Sequence, residues 1–160
     1  MKIRTLEEPN ALNSVALFHE TFKSPILDTP QLPDGSRRKL RISLLQEELD
    51  EFKEALKTDD LIEAADALCD LQYVLSGAVL ELGLGEKFKE LFDEVQRSNM
   101  SKACKTEDEA IATREHYMNK GVSSYYEKSG DVWLVFRDED NKTLKSINYS
   151  PADLKTILEA

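Results

Sequence analysis

The chain has 160 residues, 41% of them apolar, and a formal net charge of −10, which fits one domain with a real core and at most a small appendage. That acidic balance argues against a nucleic-acid duplex as partner, because phosphate binding needs a basic footprint, and no apolar run is long enough to span a membrane. The first residues lack a hydrophobic export signal, and Cys69 and Cys104 stand far apart with no metal-type spacing, so a cytoplasmic protein with reduced thiols and no membrane association is expected.

In chain order, Leu12, Val15, Ala16 and Phe22 recur at helical spacing and predict a first helix over residues 10–22. Pro25, Pro30, Pro33 and Gly35 make the next stretch a loop. A second helix is expected over 37–57, with Leu45, Leu49, Phe52 and Leu56 as its apolar stripe. The third should cover 60–82, capped by Thr58 or Asp59 and ended by Gly83 and Gly85. A fourth follows over 86–99. Thr106 and Glu109 form a capping-box pattern that opens a fifth helix, which Gly121 stops. Residues 132–137 alternate as a strand, 138–141 read as a polar turn, and Leu144 and Ile147 read as the returning strand. Ser150 as cap and Pro151 at the first helical position begin a short last helix. The expected fold is all-α: an antiparallel four- to five-helix bundle over residues 1–120. Residues 121–160 would be a β-hairpin with a short helix, packed on the body or on a partner subunit.

Acidic residues concentrate on two of these helices. Glu47, Glu48 and Glu51 span an arc of about 100° on the second helix, an arrangement that a solvated face also allows. The third helix is apolar around most of its circumference, which predicts a core helix, yet Glu63, Asp66 and Asp70 fall within an arc of about 60°. Buried carboxylates demand either a bound cation or Lys and Arg partners from another helix. If a metal is the answer, oxygen-only ligands favour Mg²⁺, with Mn²⁺ as a substitute. Neither His19 nor His116 completes the Glu-x-x-His pairs of a di-iron bundle, and no sulfur is placed for zinc.

Glu47-Glu48-Leu49-Asp50-Glu51 followed by Glu63-Ala64-Ala65-Asp66 resembles the EExxE … ExxD signature of the all-α NTP pyrophosphatases, which include MazG-type enzymes, dimeric dUTPases and phosphoribosyl-ATP pyrophosphohydrolases. The segments 66–74 and 97–102 are similar to a MazG-like subgroup, and the tail from Lys145 to Leu154 loosely matches the ending of that subgroup. For that reason a histidine-pathway role is disfavoured. The resemblance implies Mg²⁺-dependent hydrolysis of an NTP or dNTP to the monophosphate and pyrophosphate. It implies metal ligands at Glu47, Glu48, Glu51, Glu63 and Asp66, with Asp70 as ligand or neighbour, and Glu47 or Glu48 as the base that activates water. Arg97 and Lys102 become candidates for phosphate contact, Asn99 for a substrate hydrogen bond, and Tyr73 or Trp133 for stacking on a base, although a place in the core would also explain these aromatics. An exposed helix end would also explain Arg97 and Lys102. A homodimer or homotetramer is implied as well. The alternative is a non-catalytic helical protein that binds nucleotide or a partner and holds a structural metal.

Overall fold

The structure is a computed structural model that describes residues 4–160. Among the described residues the chain is mostly helical, with six α-helices, the last of them short and C-terminal, and a small two-stranded antiparallel sheet. It divides into two compact units, residues 6–88 and residues 89–160 together with Arg4 and Thr5. The change of composition near residue 120 therefore falls inside the second unit. Among the described residues no single helix is long and apolar enough to cross a membrane.

The first unit contains α1 (Ala11–Phe22), α2 (Gly35–Lys57) and α3 (Leu61–Glu81). The helix α2 begins earlier than expected because the Asp34 carboxylate accepts from the backbone N–H groups of Ser36 (2.8 Å) and Arg37 (3.0 Å). Asp60, not Thr58 or Asp59, caps α3 by accepting from Ile62 N and Glu63 N at 3.0 and 3.1 Å. Asp59 instead takes a left-handed conformation, φ 56°, to turn the chain between the two helices.

Gly83 ends α3 at φ +67°. A Cβ there would overlap the Thr29 carbonyl oxygen, so glycine lets the loop before α2 lie against the helix end. Leu27 N and Gln31 N donate to Leu80 O and Leu82 O, both at 3.0 Å, and pin that loop down.

Burial corrects two expectations. Only the C-terminal part of α3, Ser76 to Glu81, is continuously buried, together with Ala64 and Ala67, while Leu61 and Ile62 are 82% and 81% exposed. The acidic half of α3 is therefore a surface within the chain and not a core helix. On α2 the expected stripe is likewise half open: Leu49 and Leu56 are exposed, and Ala55 is the buried residue of that helix.

The second unit contains α4 (Phe88–Met100), whose first residue still belongs to the first unit, then α5 (Glu107–Met118), β1 (Ser124–Ser129), β2 (Val132–Arg137) and α6 (Leu154–Glu159). The Thr106 hydroxyl accepts from Glu109 N at 3.2 Å, while the Glu109 carboxylate accepts from Lys105 N at 2.9 Å, close to the expected capping box. Gly121, at φ +75°, terminates α5, and Val122 N closes back on Tyr117 O at 3.0 Å. Cys104, Ala110, Val135 and Leu144 form the core, with Tyr117, Val122, Tyr126 and Trp133 around them.

The hairpin differs from the one expected. β2 pairs with the preceding segment, Ser124 opposite Arg137 through Ser129 opposite Val132. Gly130 at φ +61° supplies the tight turn before Asp131. The turn at 138–141 does exist, held by Arg137 on Asp140 (2.8 and 2.6 Å). Beyond it, Thr143 only bridges Phe136, and Leu144 N donates to Val135 O at 2.8 Å, so no full returning strand forms. Asp153, not Ser150, caps α6, accepting from Thr156 N at 3.2 Å. Pro151 stays outside that helix because its carbonyl accepts from Arg97 (3.0 Å).

Candidate metal centre

The helices α2 and α3 pack together in the first unit, and their contacts set a register. Arg37 and Arg41 reach Glu81, Arg41 also lies against Gly77, and Glu48 feels Asp70 and Asp66. Positions rise along α2 as they fall along α3, so the helices run antiparallel, as their short connection predicts.

Glu48 is the carboxylate that turns toward α3. It is half-buried, and its Oε2 is enclosed with no hydrogen-bond partner among the described residues. Its carboxyl is pushed above the usual range, first by burial and then by repulsion from Asp70, Glu51, Glu47 and Asp66. An unpartnered oxygen facing four further carboxylates is an electrostatic demand for positive charge.

The other predicted ligands, Glu47, Glu51, Glu63, Asp66 and Asp70, are all exposed. Glu47, one residue round the helix from Glu48, lines an open hollow of about 500 Å³ with Lys39, Ile42 and Gln46. Among the described residues no three His, Cys, Asp or Glu side chains converge closely enough to hold a metal as they stand. The donor chemistry nonetheless fits a hard divalent cation, because the charged groups that act on the Glu48 carboxyl, Asp70, Glu51, Glu47 and Asp66, all offer carboxylate oxygen. Tyr73 meets Phe18 edge-on at 5.6 Å and lines a separate hollow of about 420 Å³ with Ser14, Leu68 and Cys69.

A second cluster on the same interface was not singled out from the sequence. Glu81 is fully buried and accepts from Arg37 Nε at 3.1 Å, from Arg37 Nη2, and from Arg41 Nη2 at 2.5 Å. Burial alone would raise its carboxyl, but the hydrogen bonds from Arg41 and Arg37 outweigh it and hold the group below the carboxylate range. His19, also buried, places Nδ1 2.8 Å from Pro25 O and Nε2 3.3 Å from Arg41 Nη2. A carbonyl can only accept, so Nδ1 carries the proton and Nε2 accepts from the guanidinium. The ion-pair answer thus holds for the buried end of α3, whereas the acids nearer its start have no such partners among the described residues.

The remaining predicted residues lie in the second unit. Arg97 donates to both oxygens of Glu94 at 2.7 Å, and Lys102 Nζ donates to Asn99 Oδ1 at 2.8 Å. Arg97, with the Asp153 N–H, holds the Glu94 carboxyl down to about 2.

The helical fold with paired acidic helices belongs to a class, the MazG-like all-α NTP pyrophosphatases, and comparison with known proteins narrows it. Residues 15–99 match the phosphoribosyl-ATP pyrophosphohydrolase family, and the chain belongs to that family. Family members are pyrophosphohydrolases that act on phosphoanhydride bonds and generally use divalent metals. The chain is also 32% identical over 122 residues to an uncharacterized protein of Acanthamoeba polyphaga mimivirus, covering 69% of this chain and 49% of that one. It thus spans about half the length of the curated relative it matches.

Proposed function

We propose that the protein is a Mg²⁺-dependent nucleoside-triphosphate pyrophosphohydrolase that cleaves an NTP or dNTP to the monophosphate and pyrophosphate. The observation that carries this reading is the enclosed, unpartnered Glu48 Oε2 facing Asp66 and Asp70 across the α2–α3 interface. Glu48, Glu51, Glu63 and Asp66 are the proposed ligands, with Glu47 and Asp70 beside them. A bound divalent cation supplies charge neutralisation of the triphosphate and a lowered pKa for the attacking water.

Glu47 or Glu48 takes the proton of that water as it attacks the α-phosphorus. The bond to the bridging oxygen then breaks, and pyrophosphate leaves with the electron pair. Mn²⁺ could replace Mg²⁺ in this donor set.

Exposed Leu61, Ile62 and Leu68 on α3 favour assembly of the helices into a bundle as a homodimer or homotetramer. Free thiols at Cys69 and Cys104 accord with a cytoplasmic location.

The test is pyrophosphate release from a panel of NTPs, dNTPs and phosphoribosyl-ATP, with Mg²⁺ and with EDTA. Glu48→Gln and Asp66→Asn are each expected to lower turnover by roughly 10²-fold or more while helical content stays unchanged. Wild-type turnover in both variants would remove the proposed site. Nucleotide binding without hydrolysis across the panel would favour a non-catalytic binder with a structural metal.

A further inference from the structure

Beyond residues 15–99, which carry the family match, the second unit holds a hollow of about 410 Å³ where α5 ends and β1 begins. Its size falls in the range of small-molecule sites, about 300–1,000 Å³. Local backbone geometry builds it. Gly121 stops α5 at φ +75°, and a Cβ placed on it would meet no atom within 4 Å, so the space beside the turn is open. Val122 N returns to Tyr117 O at 3.0 Å. The rim beyond is anchored, because the Ser123 hydroxyl donates to the Asp138 carboxylate and Asp138 N donates to Ser123 O at 3.1 Å.

The lining is apolar with two charges. Ile111, Met118 and Val122 form walls, and Ile111 and Met118 remain exposed. Arg114 and Glu115 line the same hollow, and neither forms an ion pair among the described residues. The Arg114 Cζ stands 5.9 Å from the centre of the Tyr126 ring, whose hydroxyl donates to Glu107 Oε1 at 3.3 Å. A ring face thus positions the guanidinium, which makes no hydrogen bond among the described residues.

Ser124 supplies an independent signal. It lines the hollow and is only 7% exposed, yet its Oγ is enclosed with no hydrogen-bond partner among the described residues. Buried hydroxyls are as a rule bonded, and a serine hydroxyl turns between staggered positions. A polar ligand group brought against that wall makes the bond that the fold leaves open.

One unpaired cation and one unpaired anion at a single apolar hollow call for a ligand with the opposite pair. Adjacent residues on a helix do not face each other, so Arg114 and Glu115 are each left to an outside partner. A guanidinium fork matches a carboxylate, and a carboxylate accepts from an ammonium group. We propose that this hollow binds a free α-amino acid with an apolar side chain. Arg114 takes its carboxylate, Glu115 its ammonium, and Ile111, Met118 and Val122 its side chain, while the Ser124 hydroxyl donates to the carboxylate as well.

NMR titration of the full, isotope-labelled chain with L-leucine, L-methionine and L-phenylalanine tests this site. Saturable shifts are expected at the amides of Arg114, Ser123 and Ser124. The amide of the tightest binder lacks the carboxylate, and its N-acetyl derivative lacks the ammonium. Each should bind about tenfold or more weakly than the parent, the effect of losing a hydrogen bond to a charged group. Arg114→Ala should lose a similar factor. Ser124→Ala should lose about three- to tenfold while its melting temperature holds or rises, since the free protein makes no bond with that hydroxyl. Unchanged circular dichroism identifies folded variants, and the two derivatives test the site without any substitution. The proposal is overturned if none of the three amino acids gives saturable shifts at millimolar concentration, or if both derivatives bind as tightly as the parent. Tighter binding of a nucleoside monophosphate at the same amides would also overturn it. The amino-acid titrations need neither metal nor turnover, so their outcome is independent of the hydrolase reading.

Discussion

Arg41 and Glu81 meet at 2.5 Å across the α2–α3 interface, and a Cβ on Gly77 would stand 2.5 Å from the same guanidinium. The ion pair therefore depends on a missing side chain one turn back on α3. Removing the Glu81 carboxylate leaves two guanidinium groups facing each other in a largely closed space. Glu81→Ala is expected to destabilise the fold by about 3–5 kcal/mol, the range for breaking a buried pair from one side. Arg37→Ala should do less, since that side chain is 28% exposed against 12% for Arg41. Chemical denaturation of the three proteins checks the order.

The same carboxylate gives a pH dependence with a definite sign. Its folded-state value lies below the ordinary 4.5, so its contribution is full above that pH and fades as the pH falls through the lowered native value. His19 and Arg37 share the cluster with Arg41. Urea unfolding between about pH 6 and about pH 3 should show stability falling on the acid side, with a shallower fall in Glu81→Gln.

Gly83→Ala should be the most damaging of the glycine substitutions. Its left-handed φ of +67° costs a side chain about 1–2 kcal/mol, and the Cβ must also displace the Thr29 carbonyl, which is backbone. Gly35, by contrast, has open space around it, so Gly35→Ala should be neutral or stabilising by up to about 1 kcal/mol. Thermal melts of the pair separate strain from composition.

Glu48→Gln should reverse its effect with metal. In EDTA the substitution removes a repelled, half-buried carboxylate and is expected to raise the melting temperature. In Mg²⁺ the wild type should gain stability by mass action while the variant gains less. An equal Mg²⁺ shift in both proteins would exclude Glu48 from the centre.

Most helix limits could be read from caps and glycines, because those signals are local: Thr106 and Glu109, Gly83, and Gly121 act within one turn of where they stand. The hairpin was misplaced for a related reason. Asp138-Glu139-Asp140-Asn141 is a real turn, but the ladder belongs to Ser124–Ser129, whose mixed Ser, Tyr, Glu and Lys content hid its strand character. The site was half legible. Spacing singled out the acids of the proposed site, yet the inference that α3 buries all of them overlooked that α1 and α2 cover only part of its length. The Arg37–Arg41–Glu81 cluster needed a register between two helices, which no single-helix pattern carries. Two arginines four apart on α2 and a lone acid ending an apolar run were the available signal.

The two cysteines differ in one way that matters to an experimenter. Cys104 is sealed in the core of the second unit, its backbone paired with Trp133, whereas Cys69 is exposed on α3 beside Asp70. A maleimide dye or spin label offered to the folded chain will therefore attach at one position, without mutagenesis. That position is next to the acidic stripe, where a reporter can follow cation or nucleotide arrival by fluorescence or paramagnetic relaxation.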